Sequence, residues 1–310
     1  MKVYQRVLIF LLLVLLLTSL LSPWVAALWN SIIEANPEWR EHRYSFSKIF
    51  NRLFMALAAI SFLMFRSYLK IGSLAQLGLT PADQSYHDLV KGFLLALSSL
   101  IVLALAMALS EVFTPYFRLS LSVALERSVK ALLTAMTVGL LEEIFFRGIL
   151  FKGLLQDLGL KPAFFLASLF YSAIHFIKPA EAASLDGFDP WAGIDHLIRS
   201  FQSLLAPVAL FPGLLGLFLI GAVLSYAFLR TGSLYLSIGL HAGWIFGLKT
   251  IRVYGDYRRE DLGWLFGSSE PKLVSGVAGW IGILVVGAII HYLTRTSSTF
   301  PPQSHSDPGG

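Results

Sequence analysis

The sequence predicts an all-α fold, a polytopic helical membrane protein of about eight transmembrane helices around a central helical core. Composition and one pattern carry that expectation. Hydrophobic residues make up 56% of the 310-residue chain and charged residues only 14%, against roughly 25% charged in ordinary soluble domains. The apolar residues gather in runs of roughly 18–25, the length that crosses a hydrocarbon core of about 30 Å. There is no cysteine, which excludes disulfides, thiol catalysis and thiolate metal ligands. The net charge of +5 suits Lys and Arg at helix ends facing anionic head groups, and no nucleic-acid-binding motif is present.

Lys2 and Arg6 precede an apolar run from Val7 to about Leu21 that continues past Pro23 to Leu28. It is long for a signal peptide, so it is read as a retained anchor rather than a leader cleaved near Val25-Ala26-Ala27. Asn30 to Ser47 reads as a polar, aromatic loop. A second span is expected from Ile49 to Leu69, then a loop with a turn at Thr80-Pro81-Ala82-Asp83. The third span covers Gly92 to Ser110, and Glu111 to Arg127 reads as an interfacial segment. The fourth span, Val129 to Leu155, contains Glu142, Glu143 and Arg147. The fifth runs from Pro162, a residue suited to a helix start, to Ile177, with His175 near its end. An acidic loop is expected from Lys178 to Ser200, where His196, like His42, reads as solvated. The sixth span covers Leu205 to Leu229, and Arg230-Thr231-Gly232 makes a tight connection to the seventh, Ser233 to Leu248, which contains His241. A charged loop from Lys249 to Lys272 leads to the eighth span, Leu273 to Leu293. The Ser-, Pro- and Gly-rich tail from Thr294 to Gly310 is expected to be disordered. No internal repeat is present, and Lys and Arg do not alternate between loops in a way that assigns orientation. The chain thus divides into N-terminal membrane helices and interfacial segments (1–124), a core (125–250), and a final loop, helix and tail (251–310).

The core draws notice because charge inside a membrane is costly, about 2.5–3.5 kcal/mol per group on insertion scales. The fourth span nevertheless holds two acids and a base in Leu140-Leu141-Glu142-Glu143-Ile144-Phe145-Phe146-Arg147. Glu143 and Arg147, four apart, share a helix face and can pair. Glu142 points about 100° away and has no oppositely charged neighbour on its own face. Such a carboxyl suits a general base or acid. His175 and His241, on two other spans, are its candidate partners, and Gly239 and Gly243 flank His241 and permit close helix approach. One carboxylate and two imidazoles can do either of two jobs. They can activate a water for attack on a peptide carbonyl while a histidine steadies the oxyanion. Alternatively, they can hold a divalent metal such as zinc with an open position.

At these residues the chain resembles the CAAX prenyl endopeptidase and bacteriocin-processing family of intramembrane proteases, also called CPBP or Abi. The family's E-E-x-x-x-R motif is matched by Glu142, Glu143 and Arg147. Its F-x-x-x-H motif is matched by Tyr171 and His175, with tyrosine in place of phenylalanine. Its H-x-x-x-N motif is matched by His241, but Ile245 stands where the family has asparagine. The resemblance covers roughly residues 125 to 250. It implies an endopeptidase in which Glu142 activates water, and His175 and His241 position it, stabilise the oxyanion or bind a metal, with Glu143, Arg147 and Tyr171 in support. It also implies a lipidated or membrane-embedded peptide substrate, in a cell membrane expected to be the bacterial inner membrane. Two alternatives accompany it. One is an immunity or scaffold member of the same family, its catalysis lost with the asparagine. The other is a proton-coupled transporter, since intramembrane Glu and His can relay protons. No H-E-x-x-H, G-x-G-D or G-x-S-x-G pattern points to another protease class.

Overall fold

The computed structural model describes residues 1–69, 71–79, 85–177, 188–205, 207–259, 261–267 and 273–295. Helices dominate, and they fall into two compact units. Unit 1 comprises residues 1–72, 156–158 and 172–211, and unit 2 the remainder.

In unit 1, α1 (Val3–Ala35) and α2 (Phe46–Phe65) pack together, with the short α7 (Ala192–Ser200) against α1. α1 runs unbroken through Pro23 and on to Ala35, so the expected loop at Asn30 begins later. Proline lacks the N–H that would bond four residues back, here to the Ser19 carbonyl. Ser22 Oγ donates to that carbonyl at 3.4 Å instead. Gly193 of α7 lies against the Ser19 backbone so closely that a Cβ would not fit. α7 also corrects the sequence reading of 178–200. Residues 178–187 lie outside the described ones, but 192–200 are helical. His196 is not solvated. It is buried between Phe46 and Phe50, with ring centroids at 5.5 and 4.8 Å. That burial holds its imidazole below the usual range, against a smaller upward pull from Asp195.

In unit 2, α3 (Ser85–Leu109) packs along α9 (Tyr235–Thr250), and α4 (Leu121–Glu143) packs on α9 as well. The Glu111 to Arg127 segment, expected to lie at the interface, forms β1 (Phe113–Pro115), antiparallel to β2 (Gly255–Tyr257), and then enters α4. Beyond Glu143 the helix widens into a π-helix over Ile144–Phe151 and tightens again as α5 (Lys152–Leu158). α6 (Leu160–Ile174) and α8 (Pro207–Thr231) follow in sequence, each beginning or ending in unit 1. Gly232, at φ +66°, makes the tight turn into α9, a conformation glycine adopts without strain. α10 (Gly263–Phe266) and α11 (Val277–Thr294) complete the unit. The tail beyond residue 295 lies outside the described residues.

Five helices among the described residues are long and apolar enough to cross a membrane: α1, α2, Tyr86–Leu109 of α3, Leu210–Thr231 of α8, and α11. The protein is therefore an all-α, multi-pass membrane protein. The expected count of eight is not reached, because the other three segments are the ones that carry the polar residues. α6 and α9 have 15 and 16 residues, about 22–24 Å of helix, short of a 30 Å core. α4 is loaded with Glu126, Arg127, Lys130, Glu142 and Glu143.

Candidate active site

The site lies within unit 2 and is built on α9. Every residue of α9 from Leu236 to Trp244 is buried. Glycines make that possible. A Cβ on Gly243 would sit 2.5 Å from the Phe93 carbonyl oxygen, and one on Gly239 would collide with the Leu89 carbonyl. α3 and α9 thus touch backbone to backbone, as expected from this glycine pair. On the other side Gly139 of α4 sits against Ala242. His241 is carried between these neighbours, 4% exposed.

The two acids of α4 embrace the His241 ring. Its Nδ1 lies 2.8 Å from Glu143 Oε1 and its Nε2 lies 3.7 Å from Glu142 Oε2. The same Glu143 oxygen accepts from Arg147 Nη1 at 2.7 Å. The predicted Glu143–Arg147 pair is present, and Glu143 has a second task that helical spacing did not reveal, holding the imidazole. With Nδ1–H donating to Glu143, Nε2 is turned towards Glu142 and Tyr171, whose hydroxyl is 3.3 Å away. Glu143 and Arg147 are buried outright, at 0% and 1% exposure, whereas the Glu142 side chain is 30% exposed. Glu142 is the more exposed of the two acids, although its Oε2, which faces His241, is buried.

Arg147 closes the arrangement. Its Nη2 donates to the Gly221 carbonyl of α8 at 3.1 Å, and its guanidinium lies 4.7 Å from the centre of the Tyr171 ring. Gly221 packs against Tyr171 and Ser168 of α6, where a Cβ would lie 3.1–3.2 Å from them. The contribution of α8 was missed in the sequence, since a lone glycine in Leu219-Ile220-Gly221-Ala222 carries no pattern that marks it. The π-helix beginning at Ile144 buries Phe146 and Arg147 together, and Phe146 stands edge-on to Tyr171 at 4.9 Å. Wide helical turns of this kind occur often at functional sites.

The structure thus brings Glu142, Glu143, Arg147, Tyr171 and His241 together. His175 follows Tyr171 by four residues, in an exposed turn just past the end of α6, and belongs to unit 1. Ile245, partly buried on α9, has no hydrogen-bonding side chain. His291, outside the site, bonds the Tyr226 hydroxyl at 2.6 Å.

A metal fits this donor set poorly. Among the described residues no three His, Asp or Glu side chains converge as ligands, and a catalytic zinc takes three. His241 Nδ1 is committed to Glu143, and Arg147 places a positive charge on the same carboxylate. The reading of an intramembrane metalloprotease is not supported.

Comparison with protein families matches residues 124–247 to a model described as type II CAAX prenyl endopeptidase Rce1-like. No curated protein and no solved structure matches the chain.

Proposed function

Because residues 124–247 belong to the Rce1-like family of type II CAAX prenyl endopeptidases, we propose that this membrane protein is an intramembrane endopeptidase that works by glutamate-activated water. The observation that carries the reading is the asymmetry of the two acids. Glu143 is buried and spent on Arg147 and His241, while Glu142, on the other side of the same imidazole, is partly exposed.

The chemistry follows from that geometry. The Glu142 carboxylate takes a proton from a water as the water oxygen bonds to the scissile carbonyl carbon. The carbonyl oxygen becomes an oxyanion. Glu142 then passes the proton to the leaving amine as the C–N bond breaks, leaving a carboxylic acid and a free amine. General base catalysis of this kind contributes about 10²- to 10⁴-fold. Glu143 is a positioning residue in this scheme, setting the His241 ring through Nδ1, and Arg147 balances its charge. His241 Nε2 faces the reacting centre. His175 enters the proposal on the resemblance alone, as a further group positioning the water.

One departure from the family needs an answer. Ile245 supplies no oxyanion donor, and losing one donor costs about 10²- to 10³-fold. Tyr171 has a hydroxyl where the family has phenylalanine, and that hydroxyl lies 3.3 Å from His241 Nε2. A bond of that length is long for a hydroxyl donor, so the O–H is readily redirected to an oxyanion. We assign Tyr171 that role. The second reading, an inactive scaffold member, rests on Ile245 alone.

The substrate class is a lipidated or membrane-anchored peptide cut near its C-terminal or membrane-proximal part. The membrane assigned on the same resemblance is the bacterial inner membrane. The test is a panel of peptides in proteoliposomes: a prenylated CAAX peptide, its unprenylated form and an acylated peptide, with products identified by mass. Cleavage at one peptide bond, confined to the lipidated forms, is the expected result. No product from any member of the panel contradicts the proposal.

A further inference from the structure

At the far end of α4 and α9 from the site is a concavity of about 470 Å³ lined by Arg118, Arg127, Lys130, Lys249 and Arg252. None of its described lining residues is acidic. α4 and α9 run antiparallel here, since Gly139 meets Ala242 while Arg127 and Lys130 share the concavity with Lys249. Arg127 precedes Glu142 by fifteen residues and Lys249 follows His241 by eight, which places the concavity about 12–22 Å from the site along the helices.

The basic wall is built rather than loose. The β1–β2 pair is extended by the Tyr116 N–H, which donates to the Tyr254 carbonyl at 3.1 Å. Arg118 Nη1 donates to the Arg252 carbonyl at 3.2 Å, and the Ser128 and Tyr254 hydroxyls bond at 2.8 Å. These contacts tie the segment before α4 to the end of α9. Arg127, Lys130 and Thr134 stand at i, i+3 and i+7, on one face of α4. Two acids lie close by, and each has a partner: Glu126 pairs with Lys130, and Asp256 with Arg118. Five cations against two carboxylates leave an excess positive charge at the concavity.

On the opposite face of α4, Leu125, Val129 and Leu133 are more than half exposed, and Tyr116 and Phe117 before the helix are exposed as well. A cationic recess on a membrane protein whose neighbouring segments expose apolar and aromatic side chains matches a molecule with an anionic head and hydrocarbon chains. Basic pockets between membrane helices bind such head groups, and aromatic residues mark the head-group level. We propose that this concavity binds the phosphodiester head group of an anionic phospholipid. The assignment does not depend on the peptidase reading.

The test uses the full chain, delipidated in neutral detergent and then returned to mixed phosphatidylcholine and phosphatidylglycerol. Lipid retained by the protein is counted by native mass spectrometry, with the melting temperature read alongside. Wild type should retain phosphatidylglycerol about tenfold or more over phosphatidylcholine, and Arg127→Gln combined with Lys249→Gln should erase that preference. Inorganic phosphate alone is the second arm. If it raises the melting temperature as much as the lipid does, and only in wild type, the anion site stands but its occupant is a free phosphate. Equal retention by wild type and variant overturns the proposal, as does wild type with no preference and no response to phosphate. Should the double variant fail to fold, rising salt applied to wild type replaces it. Selective release of phosphatidylglycerol supports the site, and release of both lipids alike, or of neither, overturns it.

Discussion

At the scale of single residues, much of the site was legible because charge in an apolar helix is costly enough to need a reason. Glu142, Glu143 and Arg147 stood out on that ground, His175 and His241 were read alike as partners although only His241 lies beside the acids, and the i,i+4 pairing of Glu143 with Arg147 followed from helical geometry. The second bond of Glu143, to His241 ninety-eight residues away, has no local signal. Nor has the carbonyl of Gly221 that receives Arg147. Removing one member of a buried ion pair leaves a charge without compensation, at a cost of about 3–5 kcal/mol. Arg147→Ala is therefore expected to lower the melting temperature sharply, whereas Lys130→Ala, in the exposed pair with Glu126, should leave it nearly unchanged. Equal melting temperatures would show that Glu143 and Arg147 hold nothing together. Tyr171→Phe should lower kcat about 10²- to 10³-fold with KM little changed, and Ile245→Asn in the Tyr171→Phe background should recover part of that loss. An undiminished kcat in Tyr171→Phe would take the oxyanion role from its hydroxyl.

At the scale of elements, the order of helices was readable from apolar runs, while their ends and shorter companions were not. α1 runs through Pro23 because Ser22 covers the carbonyl that proline leaves, a compensation visible only when the two are seen together. α7 was read as loop on the acidic residues Asp186, Asp189 and Asp195, yet Ala192, Gly193, His196 and Ser200 share one buried helix face, and packing puts His196 between two phenylalanines. β1 and β2 are three residues each and pair across more than a hundred residues of chain, beyond the reach of local pattern. The Gly239 and Gly243 contact was foreseen, and it is the feature on which the placement of His241 depends. Gly239→Ala should cost about 1–3 kcal/mol by overpacking, since the new methyl meets the Leu89 carbonyl. Gly282→Ala on α11, where a Cβ meets nothing within 4 Å, should be neutral or slightly stabilising. Thermal unfolding of the two variants side by side checks this, and equal behaviour would remove the close helix approach from the account.

At the scale of the whole molecule, composition alone led to the membrane, and five apolar helices agree with it. The expected count of about eight is not confirmed: five helices among the described residues meet the length and composition of a span. Of the other three expected spans, α6 and α9 are short of a bilayer's thickness and α4 carries five charged residues. These helices make up the core that carries the polar residues, and only α9 among them is largely buried. The central claim for that core is that Glu142 moves the proton while Glu143 holds the ring. It is tested most directly by Glu142→Gln in proteoliposomes, assayed on whichever peptide wild type cleaves, with the melting temperature measured on the same preparation. Loss of about 10²- to 10⁴-fold in kcat at an unchanged melting temperature is the predicted result. Full activity in Glu142→Gln would contradict the account, because the more exposed acid would then not be the base.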